Sequence, residues 1–417
     1  YVHTMAWSST AQGLNRLLGV PLLPVTGWLM SGWVQLMAFL PFATALASLG
    51  YLLVPVSALE QARLIAPDNV VFRRIALPLM RPAIAVAAIA LFVMSVLDYS
   101  VPSLFQVSVY ALELFADFSA TSDPARILVL ALPLILCTLL LALAALGAGR
   151  RLLGRSERVS AAAPRLDHLP DGFLVARQAA LAVLALQMAV PLIALLSTAG
   201  SPAQVLGSVR AARQELLTTV TVAGAAALLA TLAAYPLARR LSAPGGAPRL
   251  LAPLLVLPLA LPAPLIGVGL IVAANRDLPL PLYGTLAMPV LAAFCRFLPW
   301  AVLALAAQMS RSDPRPVEQA ALVPVGATRR FLRVTLPLLA PGFVAAFGLV
   351  FALTAGELGA TLLVAPPGEA TLTMRIYNYL HYGATSAVAG LALVVVLLTV
   401  LAELVVLAAT RRSVSAC

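Results

Sequence analysis

The chain has no lysine; all 27 of its basic residues are arginine. A phosphate-binding loop of the Gly-x-x-x-x-Gly-Lys-Ser/Thr type needs that lysine to reach the nucleotide phosphates, so this sequence has no such ATP site. Any ATP hydrolysis must come from a partner. Charge of either sign is scarce: 10% of residues are charged and 62% are hydrophobic, with a mean hydropathy of +0.99. A soluble domain carries roughly 25% charge, so the composition excludes one and fits a polytopic, all-α membrane protein. Cysteine and histidine are also rare. Cys137, Cys295 and Cys417 stand apart from one another, as do His3, His168 and His381, with no metal-ligand spacing and no disulfide framework. No His-Glu-x-x-His or Gly-x-Ser-x-Gly stretch occurs. An intramembrane enzyme is therefore disfavoured, and no catalytic, cofactor-binding or metal-binding residue is assigned.

What is present is a series of long apolar runs separated by arginine clusters. The net charge of +11 suggests nucleic acid only until its distribution is considered, because arginines between spans are what cytoplasmic loops carry. Three spans are expected at about 28–53, 78–104 and 126–148, and six more at about 173–197, 216–238, 250–274, 285–309, 337–365 and 387–409. Each suits the ~20 residues that a bilayer core requires. Residues 1–27, punctuated by Gly19, Pro21 and Pro24, read as an extramembrane loop, with Trp28 and Trp33 as interfacial anchors. Residues 149–172 are the longest polar interval and divide a first half, 1–148, from a second, 173–417. Alternating sides from a cytoplasmic linker leaves Arg239, Arg240, Arg249, Arg311, Arg315, Arg329, Arg330, Arg333, Arg411 and Arg412 inside. Arg210, Arg213, Arg276 and Arg375 fall outside.

One stretch occurs twice. Glu60-Gln61-Ala62 precedes Leu77-Pro78-Leu79, and Glu318-Gln319-Ala320 precedes Leu336-Pro337-Leu338, with the two Leu-Pro pairs 259 positions apart. Both loops stand between apolar runs on the arginine-rich side. The same offset sets Tyr1 against position 260, inside the third span of the second half, so the first half is expected to lack N-terminal spans.

These loops resemble those of the membrane permeases of binding-protein-dependent ABC importers, whose consensus is Glu-Ala-Ala, three residues, Gly, nine residues, Ile, any residue, Leu-Pro. The second copy fits in register, with Pro324 at the Gly position and Val334 for Ile. The first copy, with Ile75 before Leu77-Pro78, is one residue shorter between Glu and Pro, which puts its Gly position at Ala66 or Pro67. The resemblance implies two pseudo-symmetric halves of the type I ABC importer permease fold, each with a cytoplasmic coupling helix. Glu60, Gln61, Ala62, Leu77 and Pro78, with Glu318, Gln319, Ala320, Leu336 and Pro337, are the expected ATPase-coupling residues. It further implies a multi-pass inner-membrane location, two copies of an ATPase subunit that bind ATP and Mg, and an extracytoplasmic solute-binding protein. The run Gly356-Glu357-Leu358-Gly359-Ala360-Thr361, Pro366-Pro367-Gly368 and Arg375 to Gly383 looks like the fused ferric-iron type, with thiamine or another small solute as alternatives. Asp98-Tyr99-Ser100-Val101-Pro102 is the matching run of the first half. The resemblance also implies that much of the choice of solute lies in the binding protein.

Asp98 and Glu357 share the same 259-residue offset and lie in or near apolar runs. Intramembrane acids are costly and mark function by default. Either they line the solute path and favour a cation, or they cap broken helix ends. Arg296 is a third candidate on the path and a possible partner of Glu357. An ion-coupled secondary transporter using the two acids is the reading from another class, and it leaves the repeated loops unexplained.

Overall fold

The computed structural model describes residues 2–52, 54–153, 171–242, 251–276, 282–313, 315–381 and 385–414. Every regular element among them is helical. Eight helices are long and apolar enough to cross a membrane, and a bent pair brings the number to nine if it counts as one span. The chain falls into two compact units, Tyr1–Ser197 and Thr198–Cys417.

The first unit opens with α1 (Val2–Leu18), where the sequence led us to expect a loop. Ser8, Ser9 and Thr10 dilute its hydropathy, yet Ser8 and Thr10 donate to the Met5 and Ala6 carbonyls within the helix. Met5, Ala6, Trp7 and Ala11 are buried. Trp7 meets Trp33 edge-on at 5.4 Å, so Trp33 keeps one edge against protein; both Trp33 and Trp28 are exposed, Trp28 the more so. Gly19, at φ 67°, ends the helix in the left-handed conformation a helix C-terminus favours. Next come α2 (Trp28–Leu52), α3 (Val56–Arg63), α4 (Asp68–Val71), a π turn over Phe72–Ala76, and α5 (Leu77–Leu97). The run expected to continue to 104 breaks at Asp98, after which come the short α6 (Ser100–Leu104), α7 (Tyr110–Thr121) and α8 (Pro124–Leu153). Helix α5 packs between α2 and α8. Helix α9 (Asp171–Thr198) contributes Val190 to the cluster around Trp7, Val34 and Phe105, and its Phe173 ring meets Phe72 at 5.2 Å. By contact α9 thus groups with the first unit, and the bulk of the interval 149–172, residues 154–170, lies outside the described residues.

The second unit comprises α10 (Pro202–Ala211), α11 (Arg213–Ser242), α12 (Leu251–Ala260), α13 (Ala263–Arg276), α14 (Ala287–Arg311), α15 (Arg315–Leu322) and α16 (Ala327–Arg330). A π turn over Phe331–Thr335 leads into α17 (Leu336–Ala355), followed by α18 (Thr361–Val364), α19 (Leu372–His381) and α20 (Thr385–Val414). Helices α11, α14 and α17 pack on one another. Ala226, Ala230, Ala234 and Ala238 recur every four residues along one face of α11 and are fully buried with Ala301, Val302, Leu305, Ala346 and Val350. Small side chains let helix backbones approach closely where lipid supplies no hydrophobic drive. Two expected spans are corrected here. The run 250–274 is two helices bent by 113° between Ala260 and Ala263, where Pro262 has no N–H to continue the ladder. The run 337–365 stops at Ala355 and restarts as α18.

Candidate functional site

The two repeated loops are built alike. Moving α2, α3, α4 and the first π turn along by 259 residues gives the bounds of α14, α15, α16 and the second π turn, end for end. The π turns have one local cause. Pro78 and Pro337 sit in the first turn of α5 and α17, and a proline ring clashes with the carbonyl four residues back. The backbone answers by widening: Leu77 N–H bonds to Phe72 O and Leu336 N–H to Phe331 O, each five residues back. Wide turns of this kind often mark functional sites. The register has no gap, so Glu60 occupies the place of Gln319, and Leu59 that of Glu318. The Gly position of the first copy therefore falls on Ile65 rather than on Ala66 or Pro67.

The loops differ in how they are held. In the first, Leu59, Ala62, Val71 and Ala76 form a buried cluster. Arg63 Nε lies 2.9 Å from Asp68 Oδ1, tying the end of α3 to the first turn of α4, where a carboxylate also suits the helix dipole. In the second, no residue of α15 is buried. Glu60, Gln61, Glu318 and Gln319 are all exposed, and Ala320 is half-buried. Leu77, Pro78 and Leu336 are half-buried at the helix entries, while Pro337 is exposed. Large apolar side chains crown both loops: Leu64 is 86% exposed and Ile65 89%, and Leu322 is 86% exposed. Charged and apolar groups side by side on exposed helices suit a protein partner.

Asp98 and Glu357 each follow the end of a long helix and accept from the start of the next short one. Asp98 Oδ1 accepts from Ser100 N–H at 2.9 Å and Ser100 Oγ at 2.6 Å, and its Oδ2 accepts from Gln35 Nε2 at 3.2 Å. Ser95 Oγ fixes Gln35 by donating to its Oε1 at 2.7 Å. Glu357 Oε1 accepts from Ala360 N–H at 2.8 Å and from Arg296 Nη1 at 2.6 Å. Its Oε2 accepts from Thr361 N–H at 3.0 Å and from Thr361 Oγ1. The structure thus brings Arg296 and Glu357 together, and the helix-capping geometry is what both acids display.

A further polar cluster escaped the sequence reading. Gln214, Glu215, Thr218 and Thr219 face one way at the start of α11, the end opposite Arg239 and Arg240. Arg375 of α19 is paired with Glu215, donates to Ala211 O at 2.9 Å, and reaches Tyr379 Oη through Nη2 at 2.7 Å. Burial by itself lowers the Arg375 guanidinium; the bonds to Glu215 and Tyr379 outweigh it and hold its pKa above the ordinary value. Glu369 Oε2 accepts from Thr218 Oγ1 at 2.9 Å, and Thr219 Oγ1 accepts from Leu372 N–H at 2.8 Å. The spacing i, i+1, i+4, i+5 at 214–219 is the only sequence signal for this cluster. No group of three or more His, Cys, Asp or Glu side chains that could hold a metal ion occurs among the described residues.

Residues 226–414 match the family model described as "Binding-protein-dependent transport system inner membrane component". The chain is 32% identical over 192 residues to a putative 2-aminoethylphosphonate transport system permease protein of Salmonella paratyphi A, covering 46% of this chain and 72% of the relative. It is 36% identical over 216 residues to a molybdenum transport system permease protein of Mycobacterium tuberculosis, covering 48% of this chain and 78% of the relative. Neither name refers to iron or thiamine, and the family sets aside the ion-coupled secondary transporter. The chain belongs to the binding-protein-dependent inner membrane components and is a multi-pass permease subunit of an ABC importer for a small solute.

Proposed function

We propose that this permease seats two copies of an ATPase subunit, one at each repeated loop, and imports a small oxyanion delivered by an extracytoplasmic binding protein. The observation that carries the coupling part is the end-for-end recurrence of α2 to the first π turn at α14 to the second. Two loops with the same helix bounds suit two copies of one partner. Glu60, Gln61 and Ala62, with Glu318, Gln319 and Ala320, supply the docking helices; Leu77-Pro78 and Leu336-Pro337 join them to the spans. ATP and Mg bind in the ATPase, whose closure pulls on α3 and α15 and is passed through the π turns to α5 and α17. The chain itself makes and breaks no bonds. A two-half organisation, 1–148 and 173–417 about the interval 149–172, belongs to the same reading.

For the solute, the sequence pointed to ferric iron, with thiamine as an alternative. A cation needs acceptors on its path, yet the carboxylates of Asp98 and Glu357 are engaged in helix caps. The names of the relatives, a phosphonate permease and a molybdenum permease, support an oxyanion instead. The test of coupling is uptake by the double variant Glu60→Ala with Glu318→Ala. Uptake is expected to fall while the protein still folds; full uptake in the double variant contradicts the role given to the loops.

A further inference from the structure

Arg296 lies nine residues from Ala287 and thirteen from Met309 in its candidate span, about 14 and 20 Å along a helix. An arginine at that depth does not face lipid; it pairs, or lines a water-filled path. Arg296 does pair, but with one of its nitrogens. Nη1 donates to Glu357, Cζ lies 5.4 Å from the centre of the Phe297 ring, and no other side-chain hydrogen bond of the guanidinium occurs among the described residues. A guanidinium has five N–H donors in a rigid fork.

Its partner is in the opposite condition. An ionised carboxylate offers about four acceptor positions, and those of Glu357 receive Ala360 N–H, Arg296 Nη1, Thr361 N–H and Thr361 Oγ1. The Glu357 side chain is 2% exposed and that of Arg296 is 31%. A solute arriving here meets the unused N–H groups of the arginine and no free carboxylate. The equivalent acid, Asp98, is held by neutral Gln35, and Met37 stands at the place of Arg296, so among the described residues the acid-paired arginine at this depth belongs to the second unit.

We propose that Arg296 is the intramembrane contact for the transported solute, and that the group it receives is a tetrahedral oxyanion such as a phosphonate. This rests on the importer reading above. Glu357 is a positioning residue: it fixes the fork from one side and balances its charge. The balance keeps binding weak, as a transit site requires, since a solute must enter favourably and still leave. The bidentate geometry of arginine toward phosphate-like groups supplies the preference for oxyanions over cations such as thiamine.

The experiment uses the permease with its ATPase subunits in nanodiscs. The probes are 2-aminoethylphosphonate and inorganic phosphate, followed by 31P line broadening, and thiamine, followed by its proton lines. Wild-type protein is expected to broaden both phosphorus signals and leave thiamine sharp. Arg296→Gln should abolish the broadening. Arg296→Lys, which keeps the charge and loses the fork, should weaken binding about tenfold, the loss of one charge-assisted hydrogen bond. Glu357→Gln breaks the same ion pair but leaves the arginine unbalanced, so it should bind the oxyanions at least as tightly as wild type. A purely structural pair predicts instead that Arg296→Gln and Glu357→Gln lose binding alike. That result, unchanged broadening with Arg296→Gln, or broadening of thiamine alone overturns the proposal. Thermal melting of each variant identifies any that fail to fold, and Arg296→Lys then stands in for Arg296→Gln. ATPase subunits retained in the same discs test the importer reading separately, because their loss refutes that reading whatever the phosphorus lines do.

Discussion

At the scale of single residues, Asp98 and Glu357 solve the same problem with different neighbours. Each ends a long helix and must satisfy the first N–H groups of the next, which have no partner inside their own helix. Asp98 does so for Ser100 and Glu357 for Ala360 and Thr361. Removing such a cap costs about 1 kcal/mol, so Asp98→Ala should lower the melting temperature. Asp98→Asn keeps an acceptor oxygen and should leave uptake kinetics close to wild type. A large change in KM for Asp98→Asn would show that the carboxylate meets solute. Packing is equally specific at Gly342, where an added Cβ would lie 2.7 Å from Gln308 Cβ. Gly342→Val should cost about 1–3 kcal/mol through overpacking between α14 and α17, read as a lower melting temperature in detergent.

At the scale of elements, the π turns join the loop helices to the spans. Pro337→Ala restores the N–H and removes the ring clash, which lets the turn tighten toward α-helix and rotates α17 by about 100° for each residue absorbed. Pro78→Ala and Pro337→Ala together should therefore lower uptake per ATP hydrolysed while ATPase subunits still bind. Coupling ratios equal to wild type would remove the turns from the account. Asymmetry between the loops gives a second prediction. Arg63→Ala leaves the buried Asp68 carboxylate without its Arg63 ion pair, so amide exchange should quicken over α3 and α4, with no change over α15 and α16.

Much of this was legible in the sequence, and the parts that were not have physical reasons. Leu-Pro repeats announce themselves because proline is confined to a few helix positions, and the 259-residue offset carried over to whole helices. The π turns were hidden, since Phe72–Ala76 and Phe331–Thr335 have no composition in common that differs from an ordinary helix. Helix α1 was missed because serines and threonines that bond to their own backbone look, to a hydropathy count, like loop residues. The bend after Ala260 is half visible: Pro253, Pro258, Pro262 and Pro264 crowd the run 250–274, which marks a distortion but not two helices at 113°. The Arg296–Glu357 pair joins residues 61 positions apart and obeys no periodicity, so only packing could select it over other partners. The cluster around Arg375 was hidden for the same reason, as its members come from α11, α19 and the segment before α19.

At the scale of the whole molecule, the family match covers residues 226–414, which include the second loop and exclude the first. Kinship of the first loop comes from inside the chain, through helices of equal length at a constant offset. The central claim follows from that doubling: one chain, two loops, two ATPase subunits. It is tested most directly by the native mass of the complex purified from its own membrane in mild detergent with nucleotide present. The account predicts one permease with two ATPase subunits, falling to one when the crown of either loop is made acidic by Ile65→Asp or Leu322→Asp. A wild-type complex holding a single ATPase subunit, or one that keeps both after Ile65→Asp and Leu322→Asp together, would contradict it.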